Sequence, residues 1–413
     1  MKQVWILNHY AQVPGGVGGT RHHALARVLL KHEWSASIVA ASTDYSTGAQ
    51  RLSASEPFRL EMHDGVPFLF VRCPVYVGNG AARMRNMLAY CFAVLRRDTL
   101  SKLLSPDVIV GSSVHPFAAL AAAVLAARYQ VPFVFEVRDL WPQTLIDMGR
   151  LKAKGFVARG MHLLERWLYH RASRIIVLLP HANEYIEPLG VPPEKIVWIP
   201  NGVDLSVFPR PPIASEEGSF TLMYLGAHGQ ANSLETLLKA MSLVRQHRLP
   251  RAVKLRMVGD GASKPELMRL ATELGISDVV SFEDAVAKRE IPRVAAEADA
   301  FVICLRDLPK LYRYGISMNK LFDYLAGARP ILIASAASNN PVVEAGAGLT
   351  VRPDDPEALA AGIVELVNTP SEVRCRMSVA GRNYVEAHHG FDRLGACLAE
   401  VLNGVVEERH GRS

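Results

Sequence analysis

Short apolar runs rich in β-branched residues alternate with segments of helical periodicity along the whole chain, and the alternation restarts once near the middle. Strands that are apolar throughout, rather than at every second residue, are typical of parallel sheets covered by helices on both faces. The pattern therefore predicts two doubly wound α/β domains in series. We predict strands at residues 4–7, 36–41, 68–71, 108–111, 132–137 and 175–179 in the first half, and at 220–225, 253–258, 279–282, 300–304 and 330–334 in the second.

A polar, proline-rich segment divides the two halves near residues 199–219. We predict an N-terminal Rossmann-like domain over residues 1–200 and a C-terminal one over 201–387. A last helix, over about residues 388–413, is free to pack back on the first domain. Paired domains of this kind face a cleft lined by the carboxyl ends of their strands, and a phosphorylated ligand is the expected occupant.

The composition excludes several classes of protein. The longest apolar run, residues 117–127, is well short of the roughly 20 residues that cross a bilayer. No leader precedes the first strand, so we expect a cytoplasmic protein. The five cysteines are widely spaced and form no CxxC pair, which argues against a disulfide framework and against a structural zinc site.

Basic residues are concentrated in the first half of the chain. Residues 1–200 contain 22 Lys and Arg against 14 Asp and Glu, whereas residues 201–413 contain 24 against 26. Segments 80–104 and 150–174 interleave basic and large apolar residues, as amphipathic helices on anionic membranes or near nucleic acid do. A core-facing helix with a solvated basic face is the alternative. We expect no nucleic-acid partner, because no aromatic and basic reading motif accompanies the charge.

Glycines cluster in the loop after the first predicted strand, before a helix that begins at Arg21. Gly16 and Gly18 are candidate ligand contacts, since glycine lets the backbone approach an anion and the next helix offers free amides. A plain flexible loop is the alternative. The loop is not the dinucleotide fingerprint, which follows the strand directly and needs an acidic residue after the second strand, so we expect no NAD cofactor.

Polar side chains also follow the fourth and fifth predicted strands. His115, fixed by a following proline, can donate to a substrate oxygen or phosphate; a surface histidine in a turn is the alternative. Glu136, Arg138 and Asp139 stand at the end of a buried strand, where charges are costly unless paired or used. We favour a functional role for this triplet over a structural ion pair.

In the second half, Gly226, His228 and Asn232 follow the first strand, and Ser233 is expected to cap the next helix. A diphosphate can bind at such a helix start. Gly259 follows the next strand in the string VGDG, which suits a tight turn as well as a ligand contact.

Asn319, Lys320 and Asp323 share one end of a predicted helix that Gly327 closes. A cation suits a phosphate, and a neighbouring carboxylate suits ribose hydroxyls. A local surface bridge between Lys320 and Asp323 is the alternative interpretation.

Five strings carry a family resemblance that covers essentially the whole chain. They are NHY at 8–10, EVRDLWP at 136–142, IPNGVD at 199–204, VGDG at 258–261 and NKLFDYLAGARP at 319–330. In this order they resemble the GT-B-fold glycosyltransferases of family 4, which are retaining and use nucleotide sugars. The resemblance is closest to the branch that builds bacterial surface polysaccharides, such as the fucosaminyl transferases of O-antigen synthesis.

The resemblance implies a reaction. A sugar, expected to be an N-acetylated amino sugar, would move from a nucleoside diphosphate, expected to be UDP, to a lipid-diphosphate-linked or saccharide acceptor. A front-face route, in which the leaving phosphate takes the acceptor proton, needs no protein nucleophile. No metal or other cofactor is expected, and the sequence lacks a DxD motif near a strand end. The basic N-terminal half would meet the acceptor at the inner leaflet of the plasma membrane.

The resemblance also assigns residues. His115 would touch the donor sugar, Arg138 and Asp139 would orient donor or acceptor, and the base would rest against the backbone of Asp284, Ala285 and Val286. The chain departs from the family in three positions or segments: loop 226–233 has no Arg or Lys, Asp323 replaces the second Glu of the EX7E motif, and Gly315 replaces the first. Lys320 and Arg313 are then expected to supply the positive charge.

Two other functions stay open from the sequence. A UDP-sugar 2-epimerase uses two domains of the same fold, needs carboxylates and histidine for acid and base steps, and has no acceptor site. A catalytically inactive sugar-nucleotide-binding protein is consistent with the missing Arg, Lys and Glu. A dehydrogenase would bind NAD, which this chain is not expected to do.

Overall fold

A computed structural model describes residues 1–16, 19–44, 48–76, 78, 80–113, 115–210 and 218–411. The chain divides into two compact units. The first consists of Met1–Pro200 together with Phe391–Ser413, and the second of Asn201–Gly390.

The first unit is built on a sheet whose strands run in the order β3-β4-β2-β1-β5-β6-β7-β8. Neighbouring strands are parallel, except that β3 is antiparallel to β4. The strands are β1 (Lys2–Leu7), β2 (Trp34–Ala41), β3 (Phe58–His63), β4 (Val66–Val71), β5 (Val108–Ser113), β6 (Phe133–Val137), β7 (Arg174–Val177) and β8 (Ile196–Trp198). The helices are α1 (Arg21–Leu29), α2 (Ala81–Val94), α3 (Pro116–Tyr129), α4 (Gln143–Asp147), α5 (Phe156–Arg171) and α6 (Asn183–Ile186).

The second unit is built on a parallel sheet in the order β11-β10-β9-β12-β13-β14. The strands are β9 (Phe220–Leu225), β10 (Val253–Val258), β11 (Val280–Glu283), β12 (Ala300–Cys304), β13 (Ile331–Ala334) and β14 (Gly348–Val351). The helices are α7 (Leu234–Val244), α8 (Lys264–Glu273), α9 (Ile291–Ala295), α10 (Pro309–Tyr312), α11 (Asn319–Ala326), α12 (Pro341–Glu344), α13 (Pro356–Asn368) and α14 (Ser371–His388).

Each sheet has one point at which the strand order reverses. In the first unit this point lies between β1 and β5, and in the second between β9 and β12. Ligands of open α/β sheets bind outside the carboxyl ends of the strands at such a point. The segments that follow these four strands are therefore the places to look for a site.

The last helix, α15 (Phe391–His410), belongs to the first unit and packs against α1. Leu394, Leu398 and Leu402 of α15 are buried in the same core as Leu25 of α1. A Cβ at Gly395 would lie 2.4 Å from Val28 Cγ1, so the absence of a side chain there lets the two helices approach closely.

The two α/β units with largely or wholly parallel sheets confirm the predicted fold class, and each predicted strand is present within two residues of its expected ends. Three strands were not predicted: β3, β8 and β14. All three lie at sheet edges and are mostly half-buried. Polar residues interrupt the apolar ones in β3 and β14, and β8 is only three residues long. The basic segment 150–174 is helical only from Phe156 to Arg171.

No helix in the described part of the chain is both long enough and apolar enough to cross a membrane.

Candidate active site

Two histidines meet at the reversal point of the first unit. His9 follows β1, His115 immediately precedes α3, and His9 Nδ1 lies 2.5 Å from His115 Nε2. Both rings are buried, with 2% of His9 and none of His115 exposed. The His9 ring stacks on Tyr10 and on Tyr90, with ring centroids 4.3 and 4.7 Å apart. The alternative of a surface histidine is therefore wrong for His115.

Both imidazoles are neutral near pH 7. Burial lowers the pKa of His9 to about 3, against a partly compensating hydrogen bond with Asn86. Burial, with the nearby His9 and Arg83, holds the pKa of His115 well below its usual value. His115 Nδ1 is buried and has no hydrogen-bond partner among the described residues. The neutral His115 ring therefore offers no charge to a phosphate.

Glu136 lies at the centre of a buried network. Its carboxylate accepts hydrogen bonds from Arg21 Nε (2.9 Å), His22 Nε2 (2.6 Å) and the Ser112 hydroxyl (2.6 Å). Burial opposes ionisation, but His22 and Arg21 hold the pKa of Glu136 well below its usual range. Burial lowers the pKa of His22, whose Nδ1 then accepts from the Asn8 side-chain amide at 2.9 Å.

The same network holds the residues that follow β8. Arg21 donates to the carbonyl of Ile199 at 2.9 Å and to that of Pro200. Glu136 therefore joins the start of α1 to the residues after β8, and its bonding capacity is used within the protein. The preference for a functional role over an ion pair is wrong for this member of the charged triplet.

Arg138 and Asp139 differ from Glu136. Arg138 is half-buried and Asp139 is exposed, and neither side chain makes a hydrogen bond or ion pair within the described residues. The backbone N–H of Arg138 donates to the Ser113 hydroxyl at 3.1 Å, which ties this turn to the end of β5. Both side chains are thus available to a ligand.

The glycine loop is described only in part. Gly16 donates its N–H to the carbonyl of Val13 at 3.2 Å, and Gly15 has a φ of +91°, which favours glycine. Gly18 lies outside the described residues.

In the second unit, Lys320 joins α11 to the loop after β9. Its ammonium donates to the Tyr224 hydroxyl at 2.8 Å and to Asn232 Oδ1 at 2.7 Å, and burial lowers its pKa to about 8. A Cβ placed on Gly226 would lie 3.4 Å from Lys320 Nζ. The structure thus brings together three predicted residues, Gly226, Asn232 and Lys320, and adds Tyr224.

Asp323 does not pair with Lys320, so the surface-bridge alternative is wrong. One carboxylate oxygen of Asp323 accepts from Lys288, and the other is buried without a partner among the described residues. Asn319 is the first residue of α11. Arg313 is exposed, with its guanidinium 4.4 Å from the centroid of the Tyr314 ring.

The glycines after β10 are explained by packing between two loops. A Cβ on Gly259 would lie 1.9 Å from the carbonyl oxygen of Gly226, and one on Gly261 would lie 2.5 Å from that of His228. His228 itself is buried, and neither ring nitrogen has a partner in the described part of the chain. Burial and the charge of Lys264 lower its pKa to about 4, so it is neutral.

The loop after β11 carries the residues expected to hold a base. Asp284 is exposed and accepts from Lys264 Nζ at 3.0 Å, while Ala285 and Val286 are half-buried. Lys264 also donates to the carbonyls of Gly259 and Glu283, at 3.1 and 2.9 Å. The sequence analysis did not identify Lys264, Lys288 or Tyr224 as site residues. Each lies far from Lys320 and Asp323 in the sequence, and only the folded sheet brings their elements together.

Ser233 does not cap α7 as predicted. It occupies the position before the helix with φ of 41°, but its hydroxyl contacts Asp354 and the Thr236 hydroxyl instead of a backbone N–H. The first N–H groups of α7 therefore receive no hydrogen bond from this side chain.

Within the described ranges, no three His, Cys, Asp or Glu side chains are grouped so that they could hold a metal ion.

Residues 15–202 match the family model of a glycosyl transferase 4-like domain, and residues 219–369 match that of glycosyl transferases group 1. The chain is a glycosyltransferase. It is similar to D-inositol 3-phosphate glycosyltransferase of Thermobispora bispora, with 26% identity over 87% of this chain and 85% of that protein. The Pseudomonas aeruginosa protein named "Probable glycosyltransferase WbjE" is 25% identical over 67% of this chain and 70% of its own length.

Solved structures show that this glycosyltransferase has the GT-B fold. Sucrose-phosphate synthase of Thermosynechococcus elongatus superposes with a TM-score of 0.75, at 16% identity, over 99% of this chain and 100% of that one. HepE of Anabaena, crystallised with UDP and glucose, superposes with a TM-score of 0.67, at 15% identity, over 98% and 100%.

Proposed function

We propose that this glycosyltransferase transfers a sugar from UDP to a lipid-diphosphate-linked or saccharide acceptor, with retention and without a metal ion. The observation that carries the proposal is the cluster around Lys320, which places a half-buried cation at the reversal point of the second sheet. UDP is favoured because HepE and TarM, two structural neighbours, were crystallised with UDP. The N-acetylated amino sugar and the O-antigen or capsule pathway rest on the resemblance alone, and the cytoplasmic location rests on the sequence pattern alone.

Lys320 is suited to the diphosphate. An ammonium has three donors, and Tyr224 and Asn232 use two of them, which leaves one N–H for a phosphate oxygen. A bound anion would raise the lowered pKa of Lys320 and keep it charged. Negative charge grows on the leaving diphosphate in the transition state, so a fixed donor aimed there lowers the barrier. Arg313 and the start of α7 would assist.

Other residues of the second unit fit the nucleoside. The unpartnered oxygen of Asp323 can accept a hydrogen bond from a ribose hydroxyl, and the backbone of 284–286 offers polar groups to the base. We keep Asn319, Gly226, His228 and Gly259 as donor contacts; Asn319 begins α11, and the loops that contain Gly226 and Gly259 pack against each other.

In the reaction, the bond between the anomeric carbon and the diphosphate oxygen breaks, and the acceptor oxygen bonds to the same face. The acceptor proton passes to the leaving phosphate oxygen, so no protein nucleophile is required. We assign His115 to a hydroxyl of the transferred sugar, and Arg138 and Asp139 to orientation of donor or acceptor.

An exposed apolar stripe on α5 supports an acceptor at a membrane surface. Phe156, Leu163 and Trp167 lie on one face of the helix and are 90%, 71% and 44% exposed, flanked by the exposed Arg159 and Arg166. Large apolar side chains exposed beside basic ones are typical of helices that lie on anionic lipid. The alternative, in which α5 turns its large apolar residues to the core, does not account for this stripe.

The test is a product assay with UDP-sugars and a lipid-diphosphate acceptor in the presence of EDTA. We expect a retained glycosidic product, lost in Lys320→Ala and kept in Lys254→Ala, an exposed lysine of β10. Epimerised nucleotide sugar formed without acceptor would identify a 2-epimerase, and UDP binding with no product from any sugar would identify an inactive binding protein. Either result overturns the proposal.

A further inference from the structure

Two neutral side chains hold the Lys320 ammonium, and one backbone carbonyl orients both of them. The Tyr224 hydroxyl donates to the carbonyl oxygen of Ala227 at 2.8 Å, and the Asn232 amide nitrogen donates to the same oxygen at 2.8 Å. Because these hydrogens point to Ala227, the hydroxyl and amide oxygens are left to accept from Lys320. Neither acceptor is charged. Together they therefore set the direction of the remaining N–H of Lys320 without neutralising its charge.

The short turn that carries Asn232 is held by an arginine from a neighbouring strand. This turn, Gln230–Asn232, lies between β9 and α7. Arg306, which lies after β12, donates from Nε to the carbonyl of Gln230 at 2.9 Å and from its backbone N–H to the carbonyl of Ala231 at 3.4 Å. Its guanidinium also pairs with Glu235 of α7. Arg306 therefore fixes the turn to the helix that follows it.

Ser233 follows this turn in a backbone conformation that needs support. The residue is fully buried, and its φ of +41° lies in the left-handed region that favours glycine. Its hydroxyl donates to one carboxylate oxygen of Asp354, which lies after β14. The other oxygen of Asp354 accepts the backbone N–H of Asp307, after β12, at 2.7 Å. One carboxylate thus joins the segments that follow three strands, through charge-assisted hydrogen bonds.

We propose that Asp354 is a positioning residue for Lys320: its hydrogen bond with Ser233 holds the turn that places the Asn232 oxygen on the ammonium. The inference rests on the proposed function, which assigns Lys320 to the diphosphate, and it deepens that function by naming the residue that directs this cation. The loop after β9 contains no Arg or Lys, so its role is to orient a cation supplied by α11. Without Asp354, Lys320 would keep its charge but would have to be ordered when the diphosphate binds, which costs affinity.

The first test measures UDP affinity by calorimetric titration. Asp354→Asn keeps a residue that tolerates the φ of +52° at this position, but it removes the charge and one acceptor. Glu357→Gln, at an exposed position of α13, is the matched control because it removes the same charge nearby. We expect UDP binding to weaken about three- to tenfold in Asp354→Asn and to stay unchanged in the control. Equal affinities of the two variants would overturn the inference.

A second set of variants separates positioning from general support of the fold. Ser233→Ala removes the same hydrogen bond from its other partner and should weaken UDP binding as much as Asp354→Asn does. Asp354→Asn is also combined with Asn232→Ala and with Lys320→Ala, and we expect no further loss of affinity in either combination, since Asp354 acts through these residues. Melting temperatures show that each variant is folded. A loss of the same size in every background would overturn the positioning role.

The third measurement needs no nucleotide and so separates this inference from the proposed function. Protein labelled with ¹⁵N-lysine is examined by ¹H–¹⁵N NMR at pH 6, where a pKa of about 8 keeps Lys320 charged, and its signal is assigned by loss in Lys320→Ala. An ammonium held by two acceptors exchanges its hydrogens with water slowly. We therefore expect a separate signal that is kept in Glu357→Gln and lost in Asp354→Asn.

The outcomes of the NMR and titration experiments are distinguishable. If UDP does not bind but the expected pattern of signals occurs, the proposed function fails and the positioning role stands. If UDP binding depends on Lys320 but its signal is absent from the wild-type protein, or is unchanged in Asp354→Asn, the inference fails alone.

Discussion

Glu136 is ionised inside the first unit because Arg21, His22 and Ser112 all donate to its carboxylate. A buried charge of this kind is tolerated only while its partners remain, since removing one leaves the other without compensation. The sequence showed that three charges stand at the end of a buried strand. It did not show that Glu136 pairs with Arg21, which lies 115 residues away in the chain.

We predict that Glu136→Gln lowers the free energy of unfolding by about 3–5 kcal/mol, because the Arg21 guanidinium stays buried without its counter-ion. Glu400→Gln, on an exposed face of α15, is the matched control and should change it by less than about 0.5 kcal/mol. Urea unfolding at pH 7 measures both. A loss in Glu136→Gln no larger than that of the control contradicts the account.

The same substitution has a pH dependence of known sign. The pKa of Glu136 is lowered in the folded state, so the stability from its ionisation is complete above the usual glutamate pKa of about 4.3 and is lost as the pH falls through the folded value. The difference in the free energy of unfolding between the wild-type protein and Glu136→Gln should therefore be constant from pH 7 to 5 and shrink at lower pH.

At the scale of elements, the inner strands could be predicted because a strand that is buried on both faces needs a continuous run of apolar residues. Of the four edge strands, β11 could be predicted, whereas β3, β8 and β14 could not: polar residues interrupt β3 and β14, and β8 is only three residues long. The packing of α15 on α1 could not be predicted from the sequence either, because a helical pattern indicates an apolar face but not which helix covers that face. Gly395 is explained only by its contact with Val28.

Two glycines of α15 provide a controlled test of this packing. A Cβ at Gly395 would lie 2.4 Å from Val28 Cγ1, whereas nothing lies within 4 Å of one at Gly404. We predict that Gly395→Ala destabilises the protein by about 1–3 kcal/mol through overpacking, and that Gly404→Ala stabilises it by up to about 1 kcal/mol through helix propensity. Thermal unfolding measures the stability of both variants. A stability change of the same sign in both would contradict the contact between Gly395 and Val28.

The stripe on α5 leads to a prediction about lipid binding. We expect the protein to float with vesicles that contain phosphatidylglycerol, less so at high salt, and not with neutral vesicles. The double variant Phe156→Asp, Leu163→Asp should reduce the bound fraction at least tenfold. Met268→Asp, which replaces a residue of α8 that is 49% exposed, is the control and should bind as wild type does. Undiminished binding of the double variant would exclude α5 as the lipid-binding surface.

At the scale of the whole molecule, the two α/β units and the ends of strands that carry polar residues could be predicted from the sequence. The partners within each cluster could not. Lys320 and Asp323 are three residues apart, yet Lys320 binds Tyr224 and Asn232 while Asp323 binds Lys288. Local spacing favours a bridge between them, but sheet topology brings more distant partners closer. The sequence therefore predicts which residues stand at the ends of the strands, whereas the contacts that these residues make can be determined only from the fold.

The most direct test of the central claim is calorimetric titration of UDP into the wild-type protein, Lys320→Ala and Lys254→Ala, with EDTA present. We predict that UDP binds the wild-type protein and Lys254→Ala equally, and that Lys320→Ala weakens binding at least tenfold, or by about 1.4 kcal/mol, because a charge-assisted hydrogen bond to the diphosphate is lost. Equal affinity for all three proteins, or no binding of UDP to any of them, would contradict the account.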